Sequence, residues 1–573
     1  MGSTVARSLA AGLRRHGVSD VFGQSLPSLF FLAAPDERIR QVVYRTENAA
    51  GAMADAYARV SGKVGVVAAQ NGPAATLLVP PLAEAYKASV PVIAVVQEVP
   101  THARDRNAFQ ELDHGKLFEA CAKAIHRIDD PARVDDYVDA AVTEATSGRP
   151  GPVVLLTPKD VLAAAVPETS TRRAGYGRFP LDRYLPGEDR IKQVADLIAT
   201  ARHPLVVAGG GVHISGAAAE IAELQRVASL PVATTAMGKG AVDETDPLSV
   251  GVIGYAMGAY SATHFVRPLV EQADLVFFVG SRTNENATDA WRLFPPAATY
   301  VHLDMDPVEV GRNYESVRLV GDAKLTLRAI TEQLRAMSLD VRTAAREQVV
   351  GQIAEARARH RERIAERATA DGSPVRPERI MHELDALLTP DTIVVADASY
   401  SSIWMSNYLR ARRGGQRFLS PRGLAGLGWG LPMAIGAKAA SPESPVVAVV
   451  GDGGFAHCWS ELETAVRMDL PVTVIVLNNA ILGYQKHSEL HQFAEHTSAI
   501  GITRIDHGAI ADACGARGVR VDSAAGLGDA LREALGSGRT TVLDVLTVAD
   551  AFPPVSAWDG DAVLGELTAG AAS

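Results

Sequence analysis

Residues 446–479 read VVAVVGDGGFAHCWSELETAVRMDLPVTVIVLNN, and this stretch decides the fold of the region around it. Two continuous apolar runs, at 446–450 and 472–477, are rich in β-branched residues, which is typical of parallel strands covered on both faces. Between them lie a glycine-rich turn and enough chain for a helix. The pattern therefore predicts a strand–helix–strand unit of a parallel α/β sheet.

The two predicted strands end in residues that suit a hard cation and a phosphate group. Gly451, Gly453 and Gly454 let the backbone approach a ligand closely, and Asp452 stands among them. Asn479 follows the second strand. Because a βαβ crossover can bring the carboxyl ends of its strands together, the Asp452 carboxylate and an amide oxygen of Asn479 could share one divalent ion.

The remainder of the 573-residue chain also alternates strand and helix patterns. We expect a first domain over 1–165, a central domain over 190–335, a third over 375–550 and a C-terminal tail over 551–573. Residues 166–190 are polar and rich in Pro and Gly, which predicts a linker, and 340–372 are charged, which predicts a solvated connecting helix. The predicted fold class is α/β, with three open parallel-sheet domains in series.

Composition and charge limit the classes of partner and the compartment that we expect for this protein. The formal net charge of −10 comes from mixed charges with no long basic block, which argues against nucleic acid as a partner. Cys121, Cys458 and Cys514 show no metal-binding spacing and are an odd number, which fits a reducing cytoplasm. There is no signal-peptide pattern and no apolar run long enough to span a bilayer. We expect a cytoplasmic protein that acts on a small molecule.

GDG followed after 24 residues by NN resembles the diphosphate-and-magnesium motif of thiamine-diphosphate enzymes. The resemblance implies that Asp452, the side chain of Asn479 and the carbonyl group of Ile481 bind Mg²⁺. The metal then holds the diphosphate of the cofactor against the glycine turn. The third domain would accordingly be the diphosphate-binding domain of the family.

TENAAGAMADAYARVSGK, residues 46–63, resembles the pyrimidine-binding domain of the same family, whose glutamate occupies the position of Glu47. Taken alone, an acid at a helix start only complements the helix dipole. In thiamine chemistry such a carboxyl shares a proton with the pyrimidine ring, which promotes removal of the thiazolium C2 proton. In this family the glutamate and the diphosphate site meet across a subunit interface, so the resemblance also implies a homodimer or homotetramer.

Other segments resemble the acetolactate-synthase-like branch of the family. EVPTHARDRNAFQELDH resembles its AFQE segment, so Phe109 would line the active site and Gln110 would donate to a substrate carbonyl. In RGLAGLGWGLPMAIGA, the Ala425 carbonyl would hold the cofactor's 4′-amino group, and Leu427 would wedge between its two rings. GRPGPVVLLTPKDV places Lys159 at the entrance, facing an anionic substrate group, although a plain surface lysine explains it equally well.

The chain also departs from the synthase pattern. Where the synthase has Gly-Gly in its first glycine loop, this chain has GQSLPSLF, which puts Gln24 and Ser25 near the substrate. After NN the synthase carries a Met and a Trp that read its second ketoacid, whereas this chain has Tyr484 and a serine. The same segment brings Glu489 and Glu495 to the mouth of the site, as candidate acids or bases or simply as part of a solvated helix.

These departures argue against the standard pyruvate-plus-ketoacid selectivity. We expect a thiamine-diphosphate- and Mg²⁺-dependent C–C lyase or carboligase. The favoured reaction is cleavage of a 2-hydroxyacyl-CoA into an aldehyde or ketone and formyl-CoA, or the reverse condensation. The alternatives are an acetolactate-synthase-type decarboxylating carboligase of 2-ketoacids and a non-catalytic cofactor-binding relative.

The central domain resembles the one that binds FAD in the synthase and an ADP or CoA moiety in relatives that act on acyl-CoA. GGGVHISG, residues 209–216, is a glycine turn after a strand, and SRTNENATDAWR replaces the flavin-contacting loop of the synthase, which weakens the case for FAD. Lys239, Arg282 and Arg292 are candidates to bind a 3′-phosphorylated ADP, with surface salt bridges as the commoner use of such residues.

Overall fold

The computed structural model describes residues 3–167 and 172–556, and the counts below refer to these ranges. It contains three six-stranded sheets in consecutive segments of the chain, and all neighbouring strands are parallel. The predicted class of three open parallel-sheet α/β domains in series is confirmed. Of the predicted tail at 551–573, the part beyond residue 556 lies outside the described residues.

The first domain is built around strands that are apolar runs buried on both faces. Its strands are β1 (Asp20–Gly23), β2 (Arg40–Val42), β3 (Gly65–Ala69), β4 (Val92–Glu98), β5 (Ala124–Arg127) and β6 (Val153–Pro158). Its helices are α1 (Val5–Arg15), α2 (Ser28–Ala33), α3 (Glu47–Ser61), α4 (Pro73–Leu77), α5 (Val79–Ala88), α6 (His114–Phe118), α7 (Val134–Thr146) and α8 (Lys159–Ala163). The strand order is β2-β1-β3-β4-β6-β5.

The central domain has a different strand order. Its helices are α9 (Glu188–Thr200), α10 (Gly210–Ser215), α11 (Ala218–Val227), α12 (Arg267–Glu271) and α13 (Ala323–Arg335). Its strands are β7 (Pro204–Ala208), β8 (Val232–Thr234), β9 (Ser249–Val252), β10 (Leu275–Val279), β11 (Thr299–Asp304) and β12 (Val317–Val320). The order β12-β11-β10-β7-β8-β9 is the doubly wound arrangement of dinucleotide-binding domains.

A long helix, α14 (Asp340–Ala368), connects the central and third domains, as the charged composition predicted. It is solvated on one side only, because Val349, Ile353 and Ala356 are buried and pack on the core of the central domain. None of the described helices combines the length and the apolar composition needed to cross a bilayer.

The third domain repeats the topology of the first. Its strands are β13 (Ile393–Ala396), β14 (Phe418–Leu419), β15 (Val446–Gly451), β16 (Thr473–Asn478), β17 (Arg517–Val521) and β18 (Thr541–Leu546), in the order β14-β13-β15-β16-β18-β17. Its helices are α15 (Pro377–Leu387), α16 (Tyr400–Tyr408), α17 (Gly430–Ala440), α18 (Asp452–Phe455), α19 (Glu461–Arg467), α20 (Gly483–Phe493), α21 (His507–Ala513) and α22 (Leu527–Gly536). The helix predicted after the GDG turn is thus two helices, α18 and α19.

Each sheet has one place where the strand order reverses, and ligands of open α/β sheets bind in the crevice at that place. In the first sheet it lies between β1 and β3, in the central sheet between β7 and β10, and in the third between β13 and β15. The GDG turn follows β15 directly, and the glycine turn at 209–211 follows β7. The motifs singled out in the sequence therefore stand where the topology favours a ligand.

The first and third domains of one chain pack directly on each other through α3 and α17. The helices cross closely, because a Cβ atom added at Gly436 would lie 2.1 Å from the carbonyl oxygen of Met53. Both helices are rich in small buried residues, which lets their backbones approach. The packing fixes the start of α3, with Glu47, relative to the third domain.

Candidate functional site

The Asp452 carboxylate joins the ends of two neighbouring strands. β15 and β16 are paired so that Gly451 lies opposite Leu477. One carboxylate oxygen of Asp452 accepts a hydrogen bond from the backbone N–H of Ala480 at 2.6 Å, and the other accepts from Gly453 N–H at 2.9 Å. The acid of the GDG turn and the NN turn therefore form one unit, as the βαβ argument predicted.

Asn479 and Ile481 complete this turn. The side-chain oxygen of Asn479 accepts a hydrogen bond from Ile481 N–H at 3.1 Å, which holds the amide over the turn. An amide oxygen has two lone pairs, so a metal can still bind to it. Burial raises the pKa of the Asp452 carboxyl, although the N–H groups around it offset part of that effect. A bound divalent ion would favour the ionised carboxylate strongly.

The turn also leaves room for a ligand beside Gly451. A Cβ atom added there would meet nothing closer than the Ser401 hydroxyl at 4.0 Å. Gly454 has a different role, because its added Cβ would lie 2.2 Å from a carboxylate oxygen of Asp397. The space beside Gly451, together with one carboxylate and one amide oxygen, fits a diphosphate carried by Mg²⁺.

Asp397 is a buried residue that the sequence analysis missed. Its carboxylate accepts hydrogen bonds from the backbone N–H groups of Ala398 (2.8 Å), Gly428 (3.0 Å) and Trp429 (3.2 Å). It thereby ties the segment with Ala425 to the end of β13. An acid directly after the apolar strand TIVVA was the available signal.

Glu47 is the first residue of α3 and is half-buried. The helix is capped by Thr46, whose hydroxyl accepts from Ala49 N–H at 3.3 Å. The next residue, Asn48, accepts a hydrogen bond from the indole N–H of Trp429 at 3.3 Å. The start of α3 therefore lies against the loop after β14 within a single chain.

Glu461 holds the peptide that leads into Glu47 and was also missed. Its fully buried carboxylate accepts hydrogen bonds from Arg45 N–H at 3.1 Å and from Thr46 N–H at 3.0 Å. The Thr464 hydroxyl donates to it as well, at 2.7 Å. Burial raises the pKa of Glu461, and these donors offset part of the rise.

The loop that was predicted to bend the cofactor is presented on the surface of the single chain. Leu427 is 41% exposed and Leu424 is 53% exposed, although both are large and apolar. The Glu84 carboxylate of the first domain accepts from the N–H groups of Gly423 (2.7 Å) and Leu424. Ala425 adopts a left-handed conformation with φ of 63°, which turns the chain sharply there.

Gln110 and Phe109 lie in a loop that is hydrogen-bonded to the segment after β3 in the first domain. The Gln70 side chain donates to the Gln110 side-chain oxygen at 2.8 Å, and the Asn71 side chain donates to the Gln110 carbonyl at 3.0 Å. Because its oxygen is engaged, Gln110 keeps its NH₂ group as the donor for a ligand. Phe109 is 85% exposed, so a ligand or another chain has a large aromatic surface to cover.

The other predicted substrate residues of the first domain are placed as follows. The Gln24 side chain donates to the carbonyl groups of Tyr44 and Arg45, at 3.2 Å each, and so touches the peptide before Glu47. Ser25 is exposed in the loop after β1. Lys159 is exposed at the first position of α8.

The segment after NN forms α20. Tyr484 is 43% exposed, and its ring packs edge-on against Tyr400 with centroids 5.8 Å apart. Glu489 accepts hydrogen bonds from Thr497 N–H at 2.7 Å and from Gln485 at 3.0 Å. The Thr497 bond is the main reason why the pKa of Glu489 is lowered, so its carboxylate is best suited to a capping role.

Glu495 lies just beyond α20 and is exposed. Between the two candidate acids, Glu495 has the freer carboxylate, since no hydrogen bond or ion pair of its side chain is found within 3–167 and 172–556. Both residues remain predictions as acids or bases on the substrate.

The central domain borders a cleft with about 1190 Å³ of empty space. Its walls include the glycine turn after β7, Arg282 after β10, and Asp304 at the end of β11. Burial raises the pKa of Asp304 to about 6. Burial also lowers the pKa of Arg282, and within the described ranges its guanidinium has no hydrogen bond or ion pair.

His302 lies behind the cleft wall and holds the backbone of Ser281, which lines the cleft. Its Nε2 lies 2.8 Å from the Ser281 carbonyl oxygen, and its Nδ1 accepts from Gly311 N–H at 3.2 Å. This pattern requires the neutral ring with its proton on Nε2. Burial lowers the pKa of His302 to about 4, which agrees with that requirement.

Two of the three basic residues proposed for a phosphorylated ADP do not line the cleft. Lys239 is 1% exposed and forms an ion pair with Glu244 at 2.8 Å, so its charge is already neutralised inside the protein. Arg292 lies outside the cleft lining, and its Nε donates to the Asp289 carbonyl at 3.4 Å. Arg282 does line the cleft. Lys239 thus forms a salt bridge, the commoner use expected of such residues, but inside the protein and not on its surface.

Family models match all three domains. The N-terminal TPP binding domain of thiamine pyrophosphate enzymes matches residues 3–117, their central domain matches 191–330, and their C-terminal TPP binding domain matches 397–545. Thiamine pyrophosphate, or TPP, is another name for thiamine diphosphate. The matched segments contain Glu47 and the GDG and NN turns.

The chain is also similar along most of its length to curated proteins. It is 32% identical over 572 residues to a probable acetolactate synthase large subunit of Methanocaldococcus jannaschii, covering 96% of this chain and 93% of that protein. It is 34% identical over 509 residues to an acetolactate synthase of Arthrospira platensis, covering 84% and 83%. It is 33% identical over 558 residues to an acetolactate synthase large subunit of Parasynechococcus marenigrum, covering 94% and 87%. The chain belongs to the thiamine pyrophosphate-dependent enzymes of the acetolactate synthase-like family.

Proposed function

We propose that this enzyme is a decarboxylating carboligase: it removes CO₂ from a 2-ketoacid, and the remaining acyl fragment, which keeps the electron pair of the broken C–C bond, forms a new C–C bond to the carbonyl carbon of a second compound. The observation that carries the proposal is the union of Asp452 with the Asn479–Ala480 turn in a chain that resembles acetolactate synthases over nearly its whole length. None of the relatives named above is a 2-hydroxyacyl-CoA lyase. The lyase reaction predicted from the departures at Gln24 and Tyr484 stays a prediction.

The cofactor would be held from its diphosphate end by the third domain. Asp452, the Asn479 amide oxygen and the Ile481 carbonyl would bind Mg²⁺, and the backbone at Gly451 and Gly453 would border the diphosphate. When bound, TPP supplies the electron sink through which C–C bonds are broken and made. The protein contributes the geometry that presents one face of the cofactor to the substrate.

Glu47 would hold and return the proton that activates the cofactor's pyrimidine ring. The Ala425 carbonyl would accept from the 4′-amino group, and Leu427 would keep the two rings bent towards each other. Gln110 would donate its NH₂ group to the substrate carbonyl beside the exposed ring of Phe109. NMR of C2–H exchange on bound TPP tests the first role: exchange should be fast in the wild type and slow in Glu47→Gln, and equal rates would contradict it.

We also propose that the active unit is at least a homodimer, with Glu47 of one chain serving the diphosphate site of its partner. The apolar residues Phe109, Leu424 and Leu427 are exposed in the single chain, which supports a surface that another chain or the cofactor covers. Mixing two inactive variants tests the arrangement. Glu47→Gln and Asp452→Ala chains should together recover about a quarter of the wild-type activity, because half of the dimers are mixed and each has one complete site.

No recovery in the mixture, with dimers shown by light scattering and subunit exchange shown with labelled chains, would mean that both groups come from the same chain. For the substrate class, the wild type should be incubated separately with pyruvate and with 2-hydroxyacyl-CoA esters. Release of CO₂ and formation of acetolactate support the carboligase. Release of formyl-CoA without CO₂ would support the lyase instead.

The central cleft is proposed to bind the ADP moiety of a nucleotide, with a CoA moiety and FAD as the other candidates. Three features favour a site for a ribose and phosphates in this cleft: the sheet is doubly wound, glycines lie where its strand order reverses, and Asp304 lies at the end of β11. Binding of each compound can be measured by calorimetry, and Arg282→Met should weaken the nucleotide that occupies the cleft. The cytoplasmic location also stays a proposal, supported by three cysteines without disulfides.

A further inference from the structure

Arg422 is a cation without a carboxylate partner, placed where the central cleft meets the third domain. It lines the cleft, and it precedes Ala425 by three residues in the loop predicted to hold the cofactor. In the described ranges, no carboxylate oxygen lies within 4.0 Å of a guanidinium nitrogen of Arg422, which is the distance limit for an ion pair. The nearby Glu84 carboxylate accepts instead from the backbone of Gly423 and Leu424 and from Arg59.

The contacts that Arg422 does make are with neutral groups, a hydroxyl and a tyrosine, and not with a carboxylate. One terminal nitrogen donates to the Ser402 hydroxyl, and the guanidinium lies over the Tyr255 ring, 5.3 Å from its centroid. Its Nε is buried and has no hydrogen-bond partner in the described part of the chain. The Ser402 hydroxyl donates its own proton to the Ser399 carbonyl at 2.7 Å, so its hydrogen-bond donor is satisfied without Arg422. A partly buried cation with an unsatisfied donor costs stability unless a ligand completes it.

We propose that Arg422 binds an oxyanion of a ligand that enters the central cleft. This inference rests on the proposed function of the cleft and adds the chemical group that Arg422 would bind, at the side of the cleft next to the third domain. The oxyanion has two possible sources: the phosphate of a nucleotide in the cleft, or the carboxylate of the 2-ketoacid approaching from the cofactor side. Both offer the planar arginine two charged acceptor oxygens on one group, whereas Ser402 and Tyr255 offer one neutral oxygen each.

The test compares Arg422→Met with Arg359→Met in the full chain loaded with TPP and Mg²⁺. Arg359 is a matched control, since it also lies over an aromatic ring, Phe265 at 4.3 Å, but on the exposed side of α14. Calorimetry gives the Kd of ADP and of adenosine for each protein, and the affinity for pyruvate is taken from the KM of CO₂ release, because the loaded enzyme would consume pyruvate during a titration. Arg422→Met should weaken one anion at least about tenfold, as expected for a hydrogen bond to a charged group, and leave adenosine unchanged.

The pattern of losses identifies the source. Weaker ADP binding with unchanged pyruvate binding assigns the phosphate, and the reverse assigns the carboxylate. Without ligands, Arg422→Met should raise the urea midpoint, because it removes a partly buried cation that has no carboxylate partner, whereas Arg359→Met should leave the midpoint unchanged. Equal affinities of wild type and Arg422→Met for both anions, or a lower urea midpoint for Arg422→Met, would overturn the inference. Failure of the nucleotide proposal for the cleft would show instead as no binding of ADP or adenosine by the wild type, and failure of the carboligase proposal as no release of CO₂ from pyruvate by the wild type.

Discussion

Removal of the Glu461 carboxylate should disturb the active site from a distance, through the peptide that precedes Glu47. The structure offers three variants for this test. Glu461→Ala removes every acceptor, whereas Glu461→Gln keeps one oxygen where Arg45 N–H and Thr46 N–H both donate. Glu463→Ala is the matched control, because Glu463 also binds Arg45, through the guanidinium at 2.9 Å, but on the partly exposed surface.

The magnitude follows from the hydrogen bonds. Glu461→Ala leaves two backbone N–H groups at a domain interface without their acceptor, at a cost of about 1–3 kcal/mol each. Arg45 is exposed and can be partly hydrated, so we expect a total loss of about 2–4 kcal/mol of stability. Glu461→Gln loses the charge and puts an NH₂ group where the other oxygen accepted from the Thr464 hydroxyl; because that hydroxyl can turn and accept instead, the change should cost about 1 kcal/mol. Glu463→Ala removes two partly exposed ion pairs, with Arg45 and with Arg467, each worth about 0.2–1 kcal/mol.

Urea unfolding measures the stability, and C2–H exchange on bound TPP measures whether Glu47 is still placed correctly. A displacement of about 1 Å at a catalytic group costs roughly a hundredfold in rate, so exchange in Glu461→Ala should fall by about that factor. Glu461→Gln should retain most of the exchange rate. If Glu461→Ala unfolds and exchanges like Glu463→Ala, the reasoning that the third domain positions Glu47 within its own chain is refuted.

Three further predictions follow from the same contacts. Asp452→Ala should weaken Mg²⁺ and TPP together by roughly a hundredfold in titrations followed by fluorescence, and unchanged TPP binding would contradict the metal assignment. Gly436→Ala should lower the free energy of unfolding in urea by about 1–3 kcal/mol, because its Cβ meets the Met53 carbonyl, while Gly351→Ala in open space on α14 should raise that free energy slightly; the same sign for both would refute the helix-crossing argument. Between about pH 6.5 and about pH 4 the unfolded chain binds a proton at His302 that the folded chain does not, so the free energy of unfolding falls as the pH falls. In urea titrations at several pH values, His302→Gln should therefore reduce the dependence of this free energy on pH. An unchanged dependence would show that His302 does not contribute to it.

The parts of the fold that follow from local pattern could be predicted. β15 and β16 are continuous runs of β-branched residues, so their type, their parallel pairing and the meeting of Asp452 with the NN turn all follow from the chain between them. Thr46 and Glu47 likewise mark the start of α3 by capping chemistry. In these cases the deciding interactions lie within one βαβ unit or one helical turn.

The parts that depend on distant partners could not be predicted. Arg45 and Glu461 are 416 residues apart, and nothing in either segment indicates the other. The sequence left two uses open for Lys239, a phosphate site and a surface salt bridge, and only the structure shows that Glu244 and the Phe418 ring enclose it. The order of the strands, with its reversal between β13 and β15, also needs the assembled sheet, and so the importance of Asp397 appears only there.

The buried acids Glu84, Asp397 and Glu461 share one property that explains why the site can be exposed and still be precise. Each accepts hydrogen bonds from backbone N–H groups of a loop that carries a functional residue: Glu84 from the loop with Leu427, Asp397 from the same loop, and Glu461 from the peptide before Glu47. In the loop with Leu427, the large apolar side chains of Leu424 and Leu427 are exposed, so their packing does not hold that part of the loop in place. Charged acceptors fixed in the cores behind the loops replace that packing, and the cost of burying them is the reason why the pKa values of Asp397 and Glu461 are raised.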